Sequence, residues 1–184
     1  MGYYHTMTKQ RREAIYAFSD RIRASFQLNV PVNLSNFIQN ILSGKITEDE
    51  LEEDISGKIE KHEDSFKITL NSLHPRTRKN FTLAHELGHL FLHMGFMIDP
   101  EKWALIDEYI DSPYYRIGYS EEEYDANHFA GALLMPKEEY RKFVTENKND
   151  DDTIDISKIS SHFDVSDDAA LTRGKWLGIF KWQY

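Results

Sequence analysis

The feature that most constrains this chain is an H-E-x-x-H segment, in which His85 is followed directly by Glu86 and four residues later by His89. On a helix, residues four apart differ by about 40° around the axis and about 6 Å along it, so both imidazoles can reach one small cation. Glu86 lies beside that face, where it can hold a metal-bound water without ligating the metal. The spacing therefore predicts a helix that carries two metal ligands and a general base.

The residues on both sides of this segment are apolar enough for a buried helix, which we predict over residues 79–94. The alternative is an ordinary surface or core helix that carries two histidines by accident, because short patterns recur by chance. However, two imidazoles and a carboxylate inside an apolar helix are costly to desolvate unless a metal or another partner satisfies them. This cost favours metal binding.

Composition limits which metal site and which partners are possible. The 184 residues include no cysteine, so disulfides and thiolate ligands are excluded and any metal must use histidines and carboxylates. A net charge of −9 disfavours direct binding to nucleic acid or to an anionic membrane surface. The first residues contain no apolar signal region, and no apolar run is close to the length of about 18 residues that a membrane span needs. A soluble, cytoplasmic protein is therefore expected.

A catalytic zinc ion needs a third protein ligand and one open coordination position. One known arrangement places a further histidine ten residues after the first, but Gly95 occupies that position here. His93 lies four residues beyond His89 on nearly the same face, and one straight helix cannot wrap three ligands around a single ion. Direct ligation by His93 is therefore the less favoured alternative, and we expect it to pack or to make a polar contact near the site.

The better source of the third ligand is a second predicted helix, which runs from about Ser120 to Leu134. Ser120 is a suitable N-cap, and Glu123 follows three residues later as in a capping box. Glu123 is expected to complete a His-His-Glu set, and Asn127, one turn later, to accept the other ring N–H of a ligand histidine. The alternative is that three adjacent glutamates only favour the helix N-terminus electrostatically.

The rest of the chain is predicted to consist of short helices and strands. The expected helices cover residues 8–26, 34–44, 156–162 and 166–177, and the expected strands cover residues 55–59 and 66–70. The acidic stretch 48–54 is expected to form an exposed turn or a short helix. The predicted organisation is a main domain over 1–140 (N-terminal helices 1–45, strands 55–71, metal-site helices 79–136), an acidic linker over 141–155 and a small helical segment over 156–184.

Two segments of the chain carry a combined pattern that is highly specific. Residues 81–93 read FTLAHELGHLFLH, and residues 123–136 read EYDANHFAGALLMP. Together they resemble the ImmA/IrrE family of metallopeptidases, and weaker likeness extends over most of the chain. One departure is Gly174, where the family more often has an apolar residue, and it concerns the packing of the last helix.

The resemblance implies an α+β fold with a zincin-like core, in which a small sheet packs on helices including the H-E-x-x-H helix, followed by a short helical appendage. It implies zinc ligands at His85, His89 and Glu123, with Glu86 as the base. It also implies a site-specific regulatory protease that acts on repressors of the phage-type helix-turn-helix class in bacteria and their mobile elements.

The expected reaction is metal-assisted hydrolysis of an amide bond. Zinc lowers the pKa of its bound water, and Glu86 takes the proton and passes it to the leaving nitrogen. Strand 66–70 is expected to be the sheet edge that binds substrate backbone by strand addition. The group that stabilises the oxyanion is left open among six side chains, namely Tyr114, Tyr115, Tyr119, His128, His162 and Arg173.

Two other functions are alternatives. Residues 156–177 have the length of a helix-turn-helix, but the second helix would open with Asp167 and Asp168 facing the phosphates, so a helical cap that helps to recognise a protein partner is favoured over DNA binding. The other alternative is a metal-binding regulator or sensor that acts by protein or DNA binding without proteolysis. The intact set of histidines and glutamates favours catalysis.

Overall fold

A computed structural model describes residues 7–106 and 120–182 of the chain. The described residues form an α+β fold, as expected, and they contain eight α-helices and one three-stranded sheet. The helices are α1 (Lys9–Phe26), α2 (Leu34–Asn36), α3 (Arg76–Gly88), α4 (Pro100–Leu105), α5 (Glu121–Leu134), α6 (Lys137–Glu146), α7 (Ile156–Phe163) and α8 (Asp167–Trp176). The strands are β1 (Lys45–Asp49), β2 (Gly57–His62) and β3 (Ser65–Asn71). Within the described ranges, no helix is both long enough and apolar enough to cross a membrane.

Most of the predicted helices are confirmed. α1 begins where expected, and the Thr8 hydroxyl caps it by accepting the N–H of Arg11. The motif helix is α3 and the π-helical turn His89–His93 that continues it, although α3 starts a few residues earlier than predicted. α5 begins after Ser120, whose hydroxyl accepts the N–H of Glu123. These helices were predictable because their caps and apolar stripes are local in sequence.

Two predictions for the connecting segments are wrong. Glu48 and Asp49 were expected in a turn or short helix, but they belong to β1 and pair with Leu70 and Asn71 of β3. β1 is an outer strand with mostly exposed side chains, so it lacks the apolar alternation that marks a strand. Residues 141–146 were expected in a linker but belong to α6, whose narrow buried face leaves little apolar signal.

β3 is the central strand of the sheet. It pairs in parallel with β1 and antiparallel with β2, so the strand order is β1-β3-β2. Its side chains Phe66, Ile68 and Leu70 are buried in the core beneath the helices. The prediction that residues 66–70 form the substrate-binding edge is therefore wrong, because both backbone edges of β3 are already occupied by neighbouring strands. Strand order depends on tertiary pairing, which the hydrophobic pattern of one strand does not encode.

The last two helices pack into the same core as the rest. Ile159 and Phe163 of α7 and Ala170 of α8 belong to one cluster of buried residues with those of the sheet, α3 and α5. Arg173 of α8 is 1% exposed, its Nε–H donates to the carbonyl of Met135 at 3.0 Å, and its guanidinium lies 4.3 Å from the ring centre of Tyr16. α8 is therefore held against both α1 and the end of α5. The division into a main domain and a separate C-terminal segment stays a prediction.

Gly174 makes room for the chain that follows α8. The N–H groups of Ile179 and Phe180 donate to the carbonyl of Gly174 at 2.9 and 3.2 Å. A Cβ atom at position 174 would lie 2.2 Å from Cδ2 of Phe180 and 2.8 Å from the hydroxyl of Tyr140. The departure from the family pattern thus has a structural reason, because the absent side chain is replaced by the ring of Phe180.

Gly174→Ala is expected to lower the free energy of unfolding by about 1–3 kcal/mol, because the added methyl group overpacks this contact. Urea denaturation measures the change. In a Phe180→Ala background, the same substitution should cost less because the closest ring atoms are gone. An equal loss in both backgrounds would show that the contact with Phe180 does not require the glycine.

Candidate metal centre

The close crossing of α3 and α5 brings the two motifs together. At this crossing, a Cβ atom on Gly88 would lie only 2.8 Å from the Cα atom of Ala126. A glycine permits this approach because it has no side chain between the two backbones. Glu123 lies one turn before Ala126 on α5, so the crossing places its carboxylate against α3.

Three side chains meet beside this crossing. The Nε2 atoms of His85 and His89 are 3.0 Å apart. The two carboxylate oxygens of Glu123 lie 3.3 Å from His85 Nε2 and 3.2 Å from His89 Nε2. Among the described residues, these three form a group whose potential ligand atoms all lie within 4.8 Å of one another. The structure therefore brings together the three residues that were predicted as ligands.

The chemistry of these three residues fits a divalent metal. Burial raises the pKa of Glu123, but hydrogen bonds from His85 and His89 lower it more, so its pKa lies well below the usual range. Two ring nitrogens and an ionised carboxylate that converge on one point need a cation or a proton between them, because their lone pairs otherwise repel one another. Two histidines and one glutamate are a known ligand set of catalytic zinc sites.

Both histidines are oriented through their second ring nitrogen. His85 Nδ1 lies 3.1 Å from the side-chain oxygen of Asn127, one turn after Glu123 on α5. An amide oxygen can only accept, so His85 donates from Nδ1, and its Nε2 can bind a metal ion once the proton that it shares with Glu123 is displaced. His89 Nδ1 lies 3.0 Å from Nδ1 of His93. Asn127 is thus where the sequence predicted it, and His93 makes a polar contact behind the cluster.

Glu86, the predicted base, borders the same site. Its side chain is 1% exposed, and it lines a cavity of about 200 Å³ together with His85, Glu123 and Asn127. The connection between β1 and β2 also lines this cavity. A group held in this cavity would therefore contact Glu86 together with two of the potential metal ligands, His85 and Glu123.

Several residues that line this cavity were missed from the sequence. Arg78 stands seven residues before His85, two turns along the same helix face, and its Nη2–H donates to the hydroxyl of Ser56 at 3.0 Å. This helical spacing is a signal that could have identified Arg78. Asp54 and Ser56 come from the β1–β2 connection. Nothing in the local sequence indicates that this connection lies beside α3.

The six candidates for oxyanion stabilisation are not equally placed. Tyr114, Tyr115 and Tyr119 lie outside the described residues. His128 lies 3.0 Å from the hydroxyl of Tyr16, and burial together with nearby arginines lowers its pKa to about 4. His162 stacks on a phenylalanine of α6, and Arg173 donates to a backbone carbonyl at the end of α5. These three described candidates do not line the cavity beside His85.

A sequence model of one protein family matches most of this chain. The model of the IrrE N-terminal-like domain, peptidase family M78, matches residues 46–174. The chain belongs to the M78 peptidase family. The match includes α3, α5 and all the residues of the candidate metal centre. The resemblance to ImmA/IrrE metallopeptidases that the two motifs indicated is therefore confirmed.

Comparison with individual proteins is less specific than the family match. No curated protein matches this M78 chain. Among solved structures, a Mycobacterium tuberculosis transcriptional regulator is similar, with a TM-score of 0.61 and 17% sequence identity. The similarity covers 89% of this chain and 46% of that chain, so this chain spans less than half of the regulator's length. At this identity, the likeness concerns the fold alone.

Gly88→Ala is expected to weaken the binding of a divalent metal, because the added methyl group must push α5 and Glu123 away from the two histidines. The matched control is Gly131→Ala on α5, where the added methyl would approach the ring of Trp176 on α8 to 3.2 Å and not the residues of α3. Competition with a chromophoric chelator measures metal affinity, and thermal unfolding measures stability. Unchanged metal affinity in Gly88→Ala would contradict a role of the crossing in forming the site.

Proposed function

We propose that this M78 family member is a zinc-dependent endopeptidase that cleaves a regulatory protein at a specific site. The observation that carries the proposal is the convergence of His85, His89 and Glu123 on one point, beside a cavity that Glu86 lines. These residue types supply the ligand set and the base that metal-assisted hydrolysis of an amide bond requires. The family match supports a peptidase rather than another metal-dependent function.

His85, His89 and Glu123 would hold the zinc ion through their facing nitrogen and oxygen atoms. When bound, zinc supplies a Lewis acid that polarises a substrate carbonyl and lowers the pKa of water. Asn127 keeps His85 in the tautomer whose Nε2 lone pair faces this point. The chain itself therefore provides the ligands, their orientation and the shape of the cavity.

Glu86 would act as the general base and then as the general acid. Its carboxylate takes a proton from the water that attacks the substrate carbonyl, and later delivers that proton to the amide nitrogen as the carbon–nitrogen bond breaks. The side chain is almost fully buried at the cavity wall. In such a position, the carboxylate can be held at a defined distance from the reacting groups instead of being solvated in bulk water.

The proposed substrate is a phage-type helix-turn-helix repressor, and the proposed location is the cytoplasm, where such repressors act. The two sequence motifs that resemble the ImmA/IrrE family support this substrate class. The fold likeness to a protein named as a transcriptional regulator is consistent with a role in regulation. Asp54 and Arg78 line the cavity and would contact a polypeptide bound there.

A metal-binding regulator that does not cleave its partner is the second candidate, and the regulator-like fold neighbour favours it. Direct DNA binding through α8 is disfavoured, because Ala170 and Arg173 are buried against other helices. Asp167 and Asp168 also open α8 with negative charge. In this second candidate, metal occupancy would change a protein–protein contact instead of supporting hydrolysis.

Glu86→Gln is expected to reduce cleavage of the repressor by about 10²–10⁴-fold, because the base is removed while the shape of the side chain is kept. The substrate to test is a purified phage-type helix-turn-helix repressor, and the first choice is any such repressor that a neighbouring gene encodes. Zinc content should equal that of the wild type, and Glu122→Gln, at an exposed neighbour of the ligand, serves as the control. If Glu86→Gln inactivates the repressor as well as the wild type does, the protein acts by binding and not by cleavage.

Glu123→Ala is expected to abolish stoichiometric zinc binding, because it removes one of three protein ligands. Elemental analysis after dialysis measures the metal content. Glu122→Ala in the same turn of α5 should retain zinc, because that side chain is exposed and points away from the histidines. Full occupancy in Glu123→Ala would mean that the third ligand is a different residue.

A further inference from the structure

A row of polar contacts leads from His89 to the N-terminal helix. His89 Nδ1 lies 3.0 Å from Nδ1 of His93, and His93 Nε2 lies 3.7 Å from Oδ2 of Asp125. The same carboxylate oxygen accepts a hydrogen bond of 2.7 Å from Nη2 of Arg11. Arg11 also forms an ion pair with Glu121. The row therefore joins the turn after α3 to α5 and α1.

These polar groups are buried, in positions of a kind that apolar side chains usually occupy. The side chains of His93 and Asp125 are 8% and 10% exposed, and His89 is 1% exposed. Burying an imidazole and a carboxylate carries a desolvation cost that their mutual attraction offsets only in part. A well-packed apolar pair would usually stabilise such a position equally well. The presence of the polar pair is better explained by what it does to His89.

The contact between the two Nδ1 atoms determines which ring nitrogen of each histidine carries a proton. When His89 uses the lone pair of Nε2 to bind a metal ion, its own proton is on Nδ1 and is donated to His93. His93 must then accept at Nδ1 and carry its proton on Nε2, the atom that faces Asp125. The negative charge of Asp125 favours this tautomer, so each group in the row orients the one before it.

We propose that His93 and Asp125 are positioning residues that hold His89 in its metal-binding orientation, and that Arg11 connects this pair to α1. The inference rests on the proposed metal site. Asn127 orients His85 through a single neutral contact. His89 is instead oriented by His93, which contacts Asp125, and Asp125 in turn contacts α1. Loss of this row is expected to weaken metal binding without removing any ligand.

The test compares His93→Leu with His93→Gln in the whole 184-residue chain. Leucine removes the acceptor for His89, whereas glutamine can accept from His89 with its oxygen and donate to Asp125 with its amide group. Zinc affinity, measured by chelator competition, should fall about 10–100-fold in His93→Leu and stay close to the wild-type value in His93→Gln. Asp125→Asn, which keeps the shape but removes the charge, should give a smaller loss than His93→Leu.

Leu92→Ala in the same turn is the control for packing, because Leu92 is a partly buried neighbour that contacts the core. It should lower the thermal stability of the metal-free protein and leave zinc affinity unchanged. Arg11 is 38% exposed. Arg11→Ala should therefore have a smaller effect on zinc affinity than His93→Leu, because solvent weakens its contact with Asp125.

Ring nitrogen signals in a ¹⁵N NMR spectrum provide a readout that packing alone would not change. The zinc-loaded protein should show His93 with its proton on Nε2 and His89 with its proton on Nδ1. The opposite tautomer of His93, or an unchanged zinc affinity in His93→Leu while Glu123→Ala loses zinc, would overturn this inference and leave the proposed peptidase intact. A wild-type protein that binds no zinc would overturn both.

Discussion

The contact between Gly88 and Ala126 is the constraint on which the rest of the site depends. Helices usually cross at 8–10 Å because their side chains keep the backbones apart. Here a hydrogen atom replaces the side chain on one helix and a methyl group is the side chain on the other, so the two backbones nearly touch. Glu123, one turn before Ala126, contacts both histidines of the H-E-x-x-H segment because the helices are so close.

α5 accordingly carries polar residues on several sides, although most of its length is buried. Glu123 and Asn127 face α3, and Asp125 faces His93 and α1. His128 faces the hydroxyl of Tyr16. Each of these side chains has a partner on a different element, which offsets the cost of burying it. α5 is therefore the element through which α1, α3 and the candidate metal centre are coupled.

The C-terminal helices complete this core. Arg173 lies under the ring of Tyr16 and donates to the backbone at the end of α5. Gly174, one residue later, leaves space for Phe180, so the chain after α8 returns over the helix. Both contacts bury one side of α8, and its exposed side carries Asp167 and Asp168, whose negative charge disfavours contact with DNA phosphates. The fold thus favours a role for these helices in supporting the core or in contacting a protein partner.

Local chemistry determined what could be learned from the sequence. The four-residue spacing of His85 and His89, the Ser120 cap and the apolar stripes of α1, α3 and α5 are all contained within one element each. Periodicity within an element follows from helix geometry, which does not depend on the rest of the fold. The H-E-x-x-H helix, the helix that carries Glu123 and the α+β class were therefore predictable from the residues alone.

Only the tertiary structure decided which elements are neighbours. The central position of β3, the strand character of β1 and the approach of Asp54 to the cavity all depend on long-range packing. The same is true of the hydrogen bond between Arg11 and Asp125, which are 114 residues apart in the chain. A hydrophobic pattern indicates which face of an element is buried, but it does not indicate which other element packs against that face. The packing partner depends on the free energy of the whole core and not on one segment.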